Sequence, residues 1–375
     1  MCGSLLFCEI LAYAGLTYGL QGVAPYLFYQ RSVVTSPEQI AQYFQVRDPT
    51  LGWTANHAAD ASGARPSPAF PDPDNACMSV YGDSFAWSTG ASSDSRAWPD
   101  VLTRSLGCRV SNYGVMAYGV DQAYLRFLHN VDDEAQTVLL VIFPHDVLRN
   151  LTRNFGFLSP QSGMLWLKPA FRLDGAGNLE LLPTSFFNEA ELQEYMRDPA
   201  RYHPDDPFVW NGPEGGVELR FPYTWVLVKL LSNRRLWRGI NRSVTSYPAW
   251  ADFLQPGHPS GGFELTFQIV RQFARVATQR GKRVMVVMLP DEGAILYHRR
   301  VGAWAYADLT KAIAASDISV LNLGETFERH LKKRDPAELF DSTLHYNDEA
   351  YRILAEATEQ ALVEREGEPI TTSGR

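Results

Sequence analysis

Residues 137–143 read TVLLVIF, and from Val138 onward no polar side chain interrupts the run. A strand with water on one face alternates apolar and polar residues. A run that is apolar at every position needs cover on both faces, which is the situation of a strand inside a parallel sheet. The same texture recurs in CMSVYG (77–82), RVSNYG (109–114), KRVMVVMLP (282–290) and ISVLNLG (318–324). Helical periodicity separates these runs: WPDVLTRSLG (98–107), with Pro99 early and Gly107 at its end, then DQAYLRFLHNV (121–131) and FELTFQIVRQFARVATQRG (263–281). AWAYADLTKAIAAS (303–316) and DEAYRILAEATEQALVE (348–364) continue the pattern. Five strands alternating with helices predict an α/β fold, a three-layer α/β/α arrangement around a five-stranded parallel sheet with right-handed crossovers.

One such domain accounts for residues 77–365. Residues 158–262, between the third and fourth strands, are far longer than an ordinary connection and read as an insertion. Within it KPAFRLDGAGNLELLP (168–183) predicts a β-hairpin turning at Gly175–Asn178, and a Pro- and aromatic-rich part follows with Trp210, Trp225, Trp237 and Trp250. Those tryptophans read as core more readily than as sugar platforms. Residues 31–76 read as a linker and extended region, with DPTLGWTANHAADASGARPSP (48–68) rich in Gly, Pro, Ala and Ser, and 366–375 as a polar tail.

In a sheet of this kind chemistry collects beyond the carboxyl ends of the strands. The first strand ends in Gly82-Asp83-Ser84, the second in NYGVMAYG (112–119), the third in Phe143-Pro144-His145-Asp146, and Asp341 and His345 precede the last helix. Gly, Asp and Ser also terminate strands merely as turn formers. Here a serine, a carboxylate and a histidine gather on one rim in that chain order. A serine hydroxyl needs an imidazole to take its proton and a carboxylate to orient the imidazole, and the anionic intermediate needs N–H donors.

These blocks resemble the SGNH (GDSL-type) hydrolase family, a flavodoxin-like three-layer fold, and particularly its envelope-associated bacterial members. The resemblance covers roughly 77–157 and 263–365. It implies Ser84 as nucleophile, His345 as base and Asp341 as acid, with the oxyanion held by the N–H of Ser84, the N–H of Ala117 and the side chain of His145. Three departures accompany it. Ala117 stands where the family has a glycine, its N–H able to donate if the turn has negative φ. His145 stands where the family has an asparagine. Asp341 is four residues before His345 rather than three. The implied activity is a serine esterase removing O-acyl groups, or transferring them, on an envelope or extracellular polysaccharide. The alternative is a polysaccharide-binding or assembly protein that keeps the fold without the chemistry.

Composition excludes other classes. The net charge is −8 and no basic stripe is present, which argues against nucleic acid as a partner. The eight histidines and four cysteines are scattered without CxxC or HExxH, so neither a metal nor another cofactor is implied. An acylated carbohydrate or other small ester is the implied partner.

The N-terminal stretch SLLFCEILAYAGLTYGLQGVAPYLFY (4–29) carries one charge, Glu9, and is long enough to cross a bilayer, although Gln21 and Pro25 interrupt it. Residues 1–30 are accordingly read as a membrane anchor or signal-like segment, with a buried helix as the alternative. This places the catalytic domain outside the cytoplasm of a bacterial cell; a cytoplasmic protein is the rival placement. Cys77 opens the first strand and Cys108 precedes the second. Neighbouring parallel strands start at the same edge, about 4.8 Å apart, so the two thiols are within reach of a disulfide. Two buried free cysteines are the alternative.

Overall fold

The five apolar runs form one parallel sheet: β1 Ala76–Tyr81, β2 Arg109–Asn112, β3 Thr137–Ile142, β4 Arg283–Met288 and β5 Ser319–Asn322. The computed structural model describes residues 2–20, 27–29, 36–54, 59–74, 76–159, 165–185 and 187–366. Gln21, Pro25 and the tail from 367 onward lie outside the described residues. The strand order is β2-β1-β3-β4-β5 and every pairing is parallel. β3 pairs on both edges, Val138 lying opposite Ser79 of β1 and Val284 of β4, and all six of its residues are buried. Helices Trp98–Leu106, Leu323–Leu331 and Asp348–Glu366 pack together as one covering layer; Val120–His129, Gly262–Gln279 and Ala307–Ala314 pack as the other. The result is a three-layer α/β/α fold.

The chain runs from β1 outward to β2 and then back across β1 to β3. That reversal splays the connections after β1 and β3 to opposite faces and leaves a crevice at their carboxyl ends. Helix boundaries follow local chemistry. Trp98–Leu106 has Pro99 in its first turn and ends on Gly107 at φ 68. The helix expected over 303–316 starts only at Ala307, because Trp304 is taken up in a ring stack between His298 and Tyr306. Two further helices, Glu292–Val301 and Leu323–Leu331, begin where Asp291 and Asn322 accept backbone N–H groups of Ala294 and Gly324.

Two compact units divide the chain. One comprises residues 55–147, 173–179 and 253–375 and contains the sheet. The other comprises residues 1–54, 148–172 and 180–252, so the N-terminal region and most of the inserted stretch fold into one body. Its apolar core includes Leu16, Leu27, Phe28, Val217, Val226 and Leu230. The N-terminal apolar stretch forms helix Cys2–Ala14, a π-helical turn Gly15–Gly19 and a short strand Phe28–Tyr29 paired with Val217–Glu218. Among the described residues no helix is long and apolar enough to cross a membrane.

The predicted hairpin pairs Ala170–Leu173 with Leu179–Leu182, and its turn begins one residue earlier than expected, at Asp174, whose carboxylate accepts the N–H groups of Ala176 and Asn178 at 2.8 Å. Trp210, stacked on Tyr29 at 4.3 Å, and Trp250 are core residues, whereas Trp225 and Trp237 are exposed.

Cys77 and Cys108 are joined in a disulfide with Cα atoms 6.0 Å apart. β1 shifts register against β2 between Ala76 and Met78, which places Cys77 on a bulge at the amino edge of the sheet, away from the crevice. The bridge closes a segment of 31 residues. Replacing both cysteines by serine is expected to lower the unfolding free energy by about 3 kcal/mol, read as a lower urea midpoint than that of the oxidised protein. In the unreduced protein neither thiol should react with iodoacetamide.

Candidate active site

Gly82 ends β1 in a place that admits no side chain: a Cβ there would lie 2.9 Å from the carbonyl oxygen of Val141 in β3 and 2.8 Å from Ala86 Cβ. The chain then turns into the short helix Ser84–Trp87. Asp83 is its N-cap, its carboxylate accepting the Phe85 N–H at 2.9 Å, and is fully buried. Asp83 is therefore the turn former, and Ser84 is the first helical residue, whose N–H no carbonyl of the helix can reach. The serine is 4% exposed.

His345 meets it from the other end of the chain, Nε2 lying 3.0 Å from Ser84 Oγ. That is hydrogen-bond reach for a general base. The histidine sits in a closed turn: the Asp341 N–H donates to the His345 carbonyl at 2.8 Å, and Phe340 and Tyr346 form a bridge across its base. Tyr346 is buried, donates its hydroxyl to the Pro290 carbonyl at 2.7 Å and packs against Phe85 and Phe327. The His345 ring itself lies 5.0 Å from that of Phe85.

Asp341 reaches His345 through an intermediary. Its Oδ1 accepts the Thr343 N–H and the Thr343 hydroxyl, each at 2.7 Å, and the His345 backbone N–H at 3.1 Å. Thr343 Oγ1 in turn lies 2.9 Å from His345 Nδ1. Partial burial pushes the Asp341 carboxyl up, but the Thr343 hydrogen bonds, the His345 N–H and the nearby imidazole together hold it below its ordinary value. Asp341 is thus an anion at neutral pH and can only accept. The single hydroxyl proton of Thr343 must then point at Asp341, so Thr343 Oγ1 accepts from Nδ1–H. Nε2 is left with its lone pair facing the serine, the tautomer a base requires.

The sequence pairs Asp341 with His345 but gives Thr343 no part. The signal available was the extra residue in the Asp–His spacing and a hydroxyl lying inside it.

Ala117 occupies the third position of a turn closed by the Tyr118 N–H on the Val115 carbonyl at 3.3 Å. The turn is held beside Ser84 by the Val115 N–H, which donates to the Gly82 carbonyl at 3.1 Å. Its φ is +63°, not negative as the alanine was expected to require. The turn geometry wins over the residue: a third position with positive φ favours glycine, and alanine holds it at a cost of roughly 1–2 kcal/mol. Among the described residues no protein hydrogen bond takes up the N–H of Ser84 or of Ala117.

His145 follows β3, half-buried, in a turn where Asp146 Oδ2 accepts the Phe143 N–H at 3.2 Å. Phe143 stacks on Phe85 at 4.2 Å, and the His145 ring lies 6.3 Å from Phe143. A row of rings therefore connects His145 to His345 along the crevice, while Asp146 holds the loop. No group of three His, Cys, Asp or Glu suited to a metal occurs among the described residues.

No family model and no curated relative matches the chain. Among solved structures it is similar to a protein assigned to the G-D-S-L lipolytic family from Desulfitobacterium hafniense, at 11% identity and TM-score 0.35, over 76% of this chain and 98% of that one. It is also similar to a catalytic mutant of an acetylxylan esterase from Geobacillus stearothermophilus, at 12% identity and TM-score 0.36, over 77% and 94% of the respective chains. At these values the chemistry rests on the geometry described above.

Thr343→Val removes the bridging hydroxyl at nearly constant volume. Ester turnover is expected to fall about a hundredfold in kcat with little change in KM, because tautomer control and not substrate binding is lost. Thr343→Ser should restore turnover to within about threefold. A purely structural threonine would leave the pH profile of kcat unchanged in both variants, whereas loss of the bridge shifts its acidic limb.

Proposed function

We propose that this chain is a serine hydrolase of the SGNH type that cleaves carboxylic esters. The observation that carries the reading is the 3.0 Å contact of His345 Nε2 with Ser84 Oγ, in a turn whose Asp341–Thr343 hydrogen bonds fix the imidazole as an acceptor. His345 takes the serine proton as Ser84 attacks the acyl carbon, and it returns that proton to the leaving alcohol. Asp341, acting through Thr343, stabilises the imidazolium formed between those two steps. The N–H groups of Ser84 and Ala117 and the His145 ring receive the negative charge of the tetrahedral intermediate. A second cycle with water, or with a sugar hydroxyl in the case of acyl transfer, releases the acyl group.

The substrate class we propose is an O-acylated envelope or extracellular carbohydrate. Two things support it: the resemblance of the blocks to envelope-associated members of the SGNH family, and the Cys77–Cys108 disulfide, which is at home in an oxidising compartment. The proposed location is accordingly the cell envelope of a bacterium, with the catalytic unit outside the cytoplasm.

Turnover of 4-nitrophenyl acetate and labelling by a fluorophosphonate test the reading. Ser84→Ala and His345→Ala are expected to lose both while keeping the melting temperature of the parent. Turnover that survives either substitution sinks the assignment, and a parent protein that neither turns over nor labels favours a binding protein that keeps the fold. His145→Ala should cost about a hundredfold in kcat through one missing oxyanion donor, whereas His145→Asn, which supplies a side-chain N–H, should retain activity. Incubation with an acetyl donor and a sugar acceptor, followed by mass analysis, separates transfer from hydrolysis.

A further inference from the structure

Helix Cys2–Ala14, CGSLLFCEILAYA, has no polar face; its one charge is Glu9. Leu5, Leu6, Phe7, Ile10 and Leu11 are all exposed, Phe7 at 60%. A helix apolar on every side is normally found inside a core or in lipid, because exposed apolar area costs about 25 cal/mol per Å². With its π-helical continuation to Gly19 the helix is at most about 27 Å long at 1.5 Å per residue, still short of the ~30 Å hydrocarbon thickness of a bilayer. It lies instead along helix Tyr223–Leu230. Tyr13 and Tyr223 have ring centroids 4.9 Å apart, and the Glu9 carboxylate accepts the N–H groups of Tyr223 and Thr224 and the Thr224 hydroxyl. The only acid of the first helix therefore serves as the cap of the second.

Helix Tyr223–Leu230, packed against it, carries exposed apolar side chains of its own. Trp225 is 58% exposed, Leu231 just beyond it 71%, and Phe221 and Val228 are exposed with them. The next helix, Arg234–Thr245, adds Trp237 and Val244. The charges on this stretch are of one sign: between Leu219 and Ala251 stand Arg220, Lys229, Arg234, Arg235, Arg238 and Arg242, and no acidic residue, in a chain whose net charge is −8. Arg238 pairs with the buried Glu214, and Arg235 is turned inward onto the carbonyls of Glu214 and Phe157. Arg220, 67% exposed, lies 3.6 Å from Glu218, and Arg234, 69% exposed, lies 3.9 Å from Glu214.

We propose that this face is a membrane-surface docking site. Helices Cys2–Ala14 and Tyr223–Leu230 seat their exposed apolar side chains in the boundary between headgroups and acyl chains, without crossing. Arg220, Arg234 and Arg242 meet anionic headgroups. Exposed apolar and aromatic side chains with cations beside them are what such a boundary accommodates. A second copy of the chain fits less well, because a two-fold contact through this face would set one cationic patch against another. None of these residues belongs to the catalytic machinery, so hydrolysis of a soluble ester reads separately.

Co-sedimentation of the full chain with phosphatidylcholine vesicles, with and without phosphatidylglycerol, tests the proposal. The protein is expected to sediment with the anionic vesicles and to dissociate progressively as salt is raised. The double variant Trp225→Glu/Leu231→Glu should bind at least about tenfold more weakly, with melting temperature and soluble-ester turnover unchanged. Arg234→Glu/Arg242→Glu should lose the preference for phosphatidylglycerol. Parent protein that stays in the supernatant with both vesicle types overturns the proposal, as does an apolar double variant that sediments like the parent. So does a dimer in light scattering that Trp225→Glu dissociates while no vesicle binding is seen. Should the variants fail to fold, tryptophan quenching of the parent protein by brominated lipid decides the matter, and an absence of quenching counts against docking.

Discussion

The meeting of β1 and β3 at Gly82 governs the geometry of the site. β1 is an interior strand because the chain first adds β2 on one side of it and then β3 on the other. The turn leaving β1 must therefore clear the backbone of β3, and at Gly82 there is no room for even a methyl group. Gly114, at the end of β2, is under the same constraint, a Cβ there lying 2.8 Å from the Ala86 carbonyl carbon of helix Ser84–Trp87. The two glycines let three strand ends converge on Ser84. That convergence joins the first and second blocks through the Val115–Gly82 hydrogen bond, and it buries the serine while leaving its hydroxyl within reach of His345.

The other half of the site is assembled by proton bookkeeping. A carboxylate four residues before the histidine, one more than in the family the blocks resemble, would by itself leave Nδ1 without a defined partner. Thr343 resolves this because a hydroxyl has one proton to give and two lone pairs to offer. An ionised Asp341 claims the proton and the imidazole N–H claims a lone pair, so the information carried by the carboxylate's charge passes through one extra atom. The coupling is weaker than a direct carboxylate–imidazole bond, since the charge is farther from the imidazolium, but the direction of the tautomer is preserved.

How much of this was legible in the sequence depended on what kind of physics carried it. β1 to β5 were readable because burial on both faces forces unbroken apolar runs, and Ser84 and His345 because their positions at strand and helix ends are topological. Helices Glu292–Val301 and Leu323–Leu331 were not, because a single capping side chain, Asp291 or Asn322, sets each start. The apolar stretch after Ser4 announced its hydrophobicity but not its partner. What decides its fold is Glu9 capping a helix more than two hundred residues away, a contact no local pattern encodes. Ala117 carries no sign in its identity that its turn holds φ at +63°; the glycine of the resembling family is the hint, and its meaning is conformational.

Three of the strained backbone positions belong to the crevice. Ser88 just after helix Ser84–Trp87, Ala117 in the second block and Leu344 immediately before the histidine all have positive φ, at 69°, 63° and 65°. Each costs a non-glycine residue roughly 1–2 kcal/mol, and none would persist unless its surroundings over-determined it. Those surroundings can be named. The Ser88 N–H donates to Phe85, the Tyr118 N–H closes the turn around Ala117, and the Leu344 N–H donates to the Asp341 carbonyl at 3.1 Å. The last of these has the clearest consequence. With Leu344 in the left-handed region the chain doubles back within a single turn, so His345 offers its N–H to Asp341 and its ring to Ser84 at once. A relaxed extended Leu344 would satisfy the leucine and separate those two contacts, so the strain at Leu344 is a condition of the Ser84–His345 pair.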